Sequence, residues 1–493
     1  MAKQNLNQKA ASGMVWTSIQ KFATIGISFI SGIILARLLT PYDYGCIGML
    51  SIFIVVAESF IDGGFGSALI QKKRPTQEDY STIFFWNLGM AVLMYTILFF
   101  SAPAISRFYK IPLLSSVLRV QGLLLFIYAF NIIQRNQLRK NLNFKVLSIV
   151  TLTTSLISLG VSIYMAYKGF GVWALVASNL IGAAIPALVF WFYLKWRPIW
   201  TFSWQSIKEL FGFGFYVFLA HMINQVGQKI QGLLIGKLYN PSVMGYYSKA
   251  ESTEKLASHS VSGIMTQVTY PLYAEVQDNK VAMSNMIKRL TMTLAYITFP
   301  LMFILLLCAK SIFVLLYSDR WLQSVPYFQV LCIAGLAGCL QAVNVQSVLA
   351  LGKAKLVFWW TLFKRVIGIS AIVLGLVWFG MKGLLMGVVF NYWFSYAVNI
   401  GLVSKHLGYK WNKQIIDLLP VVVVSLLAAA ASYGVGYLLH LNMYPDGLVK
   451  FFVYLIIYLG WSFIFKPEAY TYFLTIIPKK FRFWERKKQK TKE

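Results

Sequence analysis

Charged and hydrogen-bonding residues recur at helical spacing inside stretches that are otherwise apolar. Thr17, Lys21, Thr24 and Ser28 fall on one face of the first such stretch. Glu58 and Asp62 stand four apart in the second. Much later, His221, Gln225 and Lys229 step by four, and Glu251, Lys255, Ser258 and Ser262 share a face with Lys249 and Glu254 beside it. The chemistry these types offer is recognition rather than bond breaking. Ammonium groups answer phosphate, carboxylates answer hydroxyls or a cation, and amides do either. Lys21, Lys229, Lys255, Gln225 and His221 are therefore candidates for substrate binding, and Glu58, Asp62, Glu251 and Glu254 for contact with hydroxyl groups or ion coupling. Glu251 and Lys255, four apart, are also placed to satisfy one another. Lys364 and Arg365 enter a later apolar stretch from its end, where long side chains are expected to snorkel outward.

The elements that carry these groups are membrane helices. The chain has 493 residues, 58% of them hydrophobic and 12% charged, against about 25% charge in a soluble domain. Apolar stretches of about 20 residues, each enough to cross hydrocarbon, recur along the whole length. Fourteen spans are expected near 14–39, 44–70, 81–103, 114–134, 146–167, 171–194, 209–236, 242–268, 288–308, 325–348, 356–379, 383–404, 416–439 and 448–465. Met1 to Lys9 is polar and the first apolar stretch is too long for a signal peptide, so it is expected to remain as the first helix.

The net charge of +29 does not imply nucleic acid. Lys and Arg collect in alternate connections, as at Lys72, Lys73 and Arg74, at Arg135, Arg139, Lys140 and Lys145, and in the tail from Lys479 to Lys492. The intervening connections are poor in them. This is the positive-inside pattern, and it places both termini in the cytoplasm. The tail from Lys466 reads as a basic cytoplasmic segment, either an interfacial one drawn to anionic lipid or a solvated one.

The chain also repeats itself. Leu35-Ala36-Arg37-Leu38-Leu39-Thr40-Pro41-Tyr42-Asp43-Tyr44-Gly45 aligns without a gap on Ile235-Gly236-Lys237-Leu238-Tyr239-Asn240-Pro241-Ser242-Val243-Met244-Gly245. Ala129-Phe130-Asn131 pairs with Ala342-Val343-Asn344, and Gly171-Val172-Trp173 with Gly383-Leu384-Leu385. Six spans per copy is an even number, so the two copies share one orientation, a parallel repeat. The expected domains are a six-helix lobe over 1–207, a second over 208–405, two additional helices over 406–465 and the tail over 466–493. Two polar-lined lobes of this kind are expected to enclose a hydrophilic gap, the layout of an alternating-access transporter.

Enzyme classes find no support. Asp and Glu total 16, and no Asp-x-Asp, phosphate loop, His-Glu-x-x-His or Gly-x-Ser-x-Gly motif occurs. Cys46, Cys308, Cys332 and Cys339 have no metal-like spacing. No catalytic residue, metal site or cofactor is expected.

Certain segments resemble the bacterial polysaccharide flippases, the O-antigen, lipopolysaccharide and exopolysaccharide exporters of the multidrug/oligosaccharidyl-lipid/polysaccharide superfamily. They are Leu38 to Gly45, Phe60-Ile61-Asp62-Gly63-Gly64-Phe65-Gly66-Ser67-Ala68-Leu69-Ile70-Gln71-Lys72, Gly169-Phe170-Gly171-Val172-Trp173-Ala174-Leu175-Val176-Ala177, Leu234-Ile235-Gly236-Lys237 and Gly245-Tyr246-Tyr247. The resemblance covers at least residues 10–400. It implies an all-α polytopic fold with two six-helix lobes of multidrug-and-toxin-extrusion type in the inner membrane. It further implies an oligosaccharide carried on undecaprenyl pyrophosphate as substrate, membrane lipids as surroundings and polysaccharide polymerase machinery as a partner. Many relatives carry an acidic then a basic residue just before the Leu-Leu-Ile-Gly run; here Gln231 and Gly232 stand there, and Lys229 offers the cation instead. An antiporter of small organic cations and a flippase of the lipid-linked peptidoglycan precursor are the alternatives within the same fold.

Overall fold

A computed structural model describes residues 2–276 and 278–476; the basic run from Lys479 to Lys492 lies outside the described residues. Those described form helices and connections, with no strand among them. The helices are α1 (Ala2–Leu38), α2 (Pro41–Asp62), α3 (Phe65–Gln71), α4 (Gln77–Tyr109), α5 (Leu113–Gln121), α6 (Leu124–Lys140), α7 (Phe144–Tyr167), α8 (Val172–Tyr193), α9 (Trp204–Leu238) and α10 (Pro241–Glu275). They continue with α11 (Lys280–Leu307), α12 (Ala309–Tyr317), α13 (Val325–Ala350), α14 (Ala354–Leu407), α15 (Trp411–Leu439), α16 (Met443–Phe465) and α17 (Glu468–Ile476).

Among the described residues, twelve helical segments are long and apolar enough to cross a membrane. One of these, within α14, is two helices joined across a backbone break at Gly380 (φ 60°, ψ −143°). The charged helix α10, 35 residues long, is not among the twelve. With α10 and the two arms of α14 counted separately, the expected fourteen spans are all present as helices.

The repeated Pro and Gly positions have matched roles. Thr40 caps α2: its Oγ1 accepts from the Asp43 amide at 3.4 Å, and the Thr40 amide donates to Asp43 Oδ2 at 2.9 Å. At the second copy Asn240 Oδ1 accepts from the Val243 amide at 2.9 Å. Both caps lead into a proline at the first helical position, where its missing N–H costs nothing. The third repeat pair aligns differently in the backbone. Gly171 holds φ 53°, and the left-handed break of the second copy falls on Gly380. Gly383 instead lies within the helix, its Cα against the Gly375 carbonyl.

The chain divides into two compact units, Met1–Lys249 and Ala250–Glu493. In the first, Phe65, Leu69, Ile83, Phe84, Ile133 and Leu210 form an apolar cluster that ties α3, α4, α6 and α9 together. Lys140 Nζ fastens the end of α6 to α3 by donating to the carbonyls of Leu69 and Ile70, each at 3.0 Å, and to that of Lys72. Such closing of free helix-end carbonyls is what a basic residue near a helix C-terminus supplies.

In the second unit the short α17 docks on α11. Tyr296 packs against Tyr458, Tyr470 and Phe473 with ring centroids 5.4–5.9 Å apart. Lys288 Nζ reaches Glu468 at 2.8 Å and Asp417 at 3.5 Å. Burial opposes the charge on Glu468, but hydrogen bonds from Lys288 and Tyr472 outweigh it and hold the carboxyl below its ordinary 4.5. A lowered carboxyl stabilises the docked form at neutral pH, and that contribution is lost as pH falls through the lowered value. Amide protection factors along Glu468–Ile476, which remove the slower intrinsic exchange in acid, are therefore expected to fall on acidification through the carboxylate range. Lys288→Ala is expected to have the same effect at pH 7; unchanged exchange in that variant would show that the aromatic cluster alone holds α17.

Candidate functional site

Two cavities lie inside the first unit. The larger, of ≈390 Å³, is bounded by α1, α2, α6, α7 and α8 and lined in about equal parts by apolar groups and by polar ones, among them Ser28, Thr154, Ser158 and Asn179, with Glu58 and Arg135 as its charged members. The smaller, of ≈170 Å³, is bounded by α2, α3 and α6 and holds Asp62, Asn136, Arg135 and Arg139. Tyr128, Asn131 and Arg135 line both. The helical period explains this: 128, 131, 135 and 139 step by three and four along one face of α6.

The carboxylates of α2 divide between the cavities, Glu58 in the larger and Asp62 in the smaller. Asp62 accepts hydrogen bonds from the backbone amides of Gly64 and Gly66, where the chain turns from α2 into α3. Left-handed backbone at Gly63 and Gly64 makes that turn. Near it, His221 Nδ1 lies 3.4 Å from Ser59 Oγ, and its Nε2 lies 3.3 Å from Gln225 Nε2. His221 and Gln225 thus form a polar bridge from α9 to α2, while Lys229, two turns on, is half-buried with no ion pair or hydrogen bond among the described residues. Lys21 on α1 stands in the same condition.

Lys249 is almost fully buried and donates to the Gly32 carbonyl of α1 at 2.6 Å, its ammonium 5.3 Å from the Tyr44 ring centre. In the second unit Lys255 Nζ meets Glu251 Oε1 at 2.7 Å, so this pair does satisfy itself. Glu254 does not join it. Its side chain is buried against Gly335 of α13, where a Cβ would collide with Oε1.

Two sequence expectations need correction. Lys364 does not snorkel. It is 7% exposed and donates to Asn399 Oδ1 at 2.7 Å, across to the other arm of α14. Arg135 and Arg139 do not sit in a connection between helices: α6 continues to Lys140 and carries both along the cavity face, Arg135 half-buried and Arg139 exposed. The apolar run of span four ends at 134, which hid them. Their spacing of three and four behind Tyr128 and Asn131 was the signal that would have found them. Among the described residues no His, Cys, Asp and Glu cluster is arranged to hold a metal ion.

Residues 34–326 match the model of a family described as polysaccharide biosynthesis protein. Among curated relatives, the chain is 26% identical over 358 residues to the teichuronic acid biosynthesis protein TuaB of Bacillus subtilis, covering 72% of this chain and 74% of that one. It is 22% identical over 441 residues to the lipopolysaccharide biosynthesis protein WzxC of Escherichia coli, covering 88% and 89%. Among solved structures it superposes on the lipid II flippase MurJ in an inward closed conformation with a TM-score of 0.74, over 92% of this chain and 98% of that one, at 14% identity. The fold is thus that of a known multi-pass bundle, and with more than half its length matched, this chain belongs to the polysaccharide biosynthesis protein family.

Proposed function

We propose that the protein flips oligosaccharide repeat units linked to undecaprenyl pyrophosphate from the inner to the outer leaflet of the cytoplasmic membrane, by alternating access, for O-antigen, capsule or exopolysaccharide synthesis. Membership of the family carries this reading, and the partly hydroxyl-lined cavity beside Glu58 is in keeping with a sugar cargo. The reading is of a transporter and not an enzyme, with both termini in the cytoplasm and polysaccharide polymerase machinery as its downstream partner.

The physics of the cargo sets what the chain has to supply. A pyrophosphate-sugar head does not enter hydrocarbon unaided, since burying charge without compensation costs many kcal/mol. Lys21 and Lys229, half-buried and unpaired among the described residues, are assigned to phosphate contact, with Gln225 and His221 on the α9 stripe of Lys229; Lys255 is assigned the same role from its own unit. Glu58, Asp62, Glu251 and Glu254 are assigned to sugar hydroxyls or a coupling cation. Lys21→Ala with Lys229→Ala is expected to lower surface polysaccharide at least tenfold at normal protein level, with lipid-linked repeat units accumulating on the cytoplasmic side. Unchanged polysaccharide in the double variant would remove these lysines from the site.

A further inference from the structure

The face of α6 has a use that the lysines do not cover. Arg135, half-buried, and Arg139, exposed near the end of the helix, are four apart on that face, and among the described residues neither guanidinium has an ion-pair or hydrogen-bond partner. A cation in a membrane helix is expensive unless something answers it. The carboxylates in the lining are Glu58 and Asp62, and neither is in an ion pair with an arginine, although Arg139 acts on Asp62 at longer range. Asp62 is already held by two backbone amides.

Further donors and acceptors around the arginines also lack partners. Asn131 and Asn136 are each 6% exposed, and Asn131 Oδ1 and Asn136 Nδ2 have no hydrogen bond. In the larger cavity Thr154 Oγ1 and Ser158 Oγ are buried and equally unpartnered. Buried polar atoms are normally paired, so a group of them lining the same cavities as the half-buried Arg135, with Arg139 one turn on, points to a ligand.

From this we infer that Arg135 and Arg139 form a receiving site for the pyrophosphate of the lipid-linked substrate, with the first sugar in the adjoining, partly hydroxyl-lined cavity. This inference rests on the flippase reading above. The guanidinium fork matches phosphate oxygens two at a time, which a lysine does not do. Asn136 Nδ2 adds a neutral donor to the same phosphate. Tyr128, Asn131 and Arg135, common to both cavities, stand where phosphate gives way to sugar. The larger volume, ≈390 Å³, falls within the range of small-molecule sites, about 300–1,000 Å³. The end of α6 that carries the arginines is also the end the positive-inside pattern assigns to the cytoplasm, the leaflet from which the substrate would be loaded.

The test is binding to the full-length protein in nanodiscs, with undecaprenyl pyrophosphate, inorganic pyrophosphate and phosphatidylglycerol as separate probes and uncharged undecaprenol as control. Undecaprenyl pyrophosphate is expected to bind, with inorganic pyrophosphate competing and phosphatidylglycerol and undecaprenol failing to compete. Arg135→Gln and Arg139→Gln are each expected to weaken binding at least tenfold, with Arg135→Lys and Arg139→Lys falling between. The lysine variants, which keep the charge, separate loss of the fork from loss of the fold. Wild-type affinity in both glutamine variants overturns the site while leaving the flippase reading intact. Competition by phosphatidylglycerol as strong as by pyrophosphate overturns it in favour of a general anionic-lipid contact. If no undecaprenyl pyrophosphate binds and deleting the gene leaves surface polysaccharide intact, both readings fall.

Discussion

Replacing Gly45 or Gly245 with alanine is expected to abolish polysaccharide export, with a fall in the detergent melting temperature of the purified protein. The two glycines meet the other copy's proline turn reciprocally. A Cβ on Gly45 would collide with the Pro241 carbonyl, and one on Gly245 with the Pro41 carbonyl. Both obstacles are backbone, so no rotamer change relieves them. The first turns of α2 and α10 have to separate. Gly48 and Gly232 extend the seam, a Cβ on Gly232 standing 3.0 Å from the Gly48 carbonyl. Small residues that let helix backbones touch are how helices associate where lipid removes the hydrophobic drive. Overpacking of side chains typically costs about 1–3 kcal/mol, and a clash between main chains belongs at the upper end. Gly26 and Gly89, which have nothing within 4 Å, supply the control: alanine there is expected to leave export and melting unchanged. Wild-type export from Gly45→Ala and Gly245→Ala would mean that the seam opens at no cost and is not part of the working structure.

The second large effect is expected at Lys364. Its ammonium is buried and its amide partner Asn399 is 2% exposed. Asn399→Leu leaves a buried cation without its acceptor, a change expected to cost about 3 kcal/mol, the upper end of the range for a buried group that loses its hydrogen-bond partner. Removing both, as Lys364→Met with Asn399→Leu, replaces the pair by apolar bulk and is expected to recover most of that loss. The measurement is melting of the single and double variants in one detergent, read as a double-mutant cycle. Additive losses would show that the 2.7 Å contact contributes nothing specific.

The spans were legible because each is local. Apolar length marks a span, and Thr40 before Pro41 or Asn240 before Pro241 marks a helix start wherever it occurs. The site was legible only as stripes. His221 with Gln225 and Glu251 with Lys255 form contacts one turn apart, which spacing alone determines. What spacing does not determine is which neighbour a stripe faces. Lys364 was read as snorkelling because its answer, Asn399, lies 35 residues on, across a turn. Arg135 and Arg139 fall in a connection by sequence because an apolar window stops where charge begins, whereas α6 continues to Lys140. Glu254 looked like a companion of the Glu251–Lys255 pair and instead packs under Gly335, a contact 81 positions away that no periodicity encodes.

The corner at Gly380 sets a limit on how the chain tolerates change of length. The two arms of α14 touch main chain to main chain, Gly375 against Gly383 and Gly387 against Ala371, so the connector has no slack. A tag or reporter spliced between Phe379 and Met381 has to prise the arms apart, and displacement of one arm passes undiminished to the other, like two prongs forged from one bar.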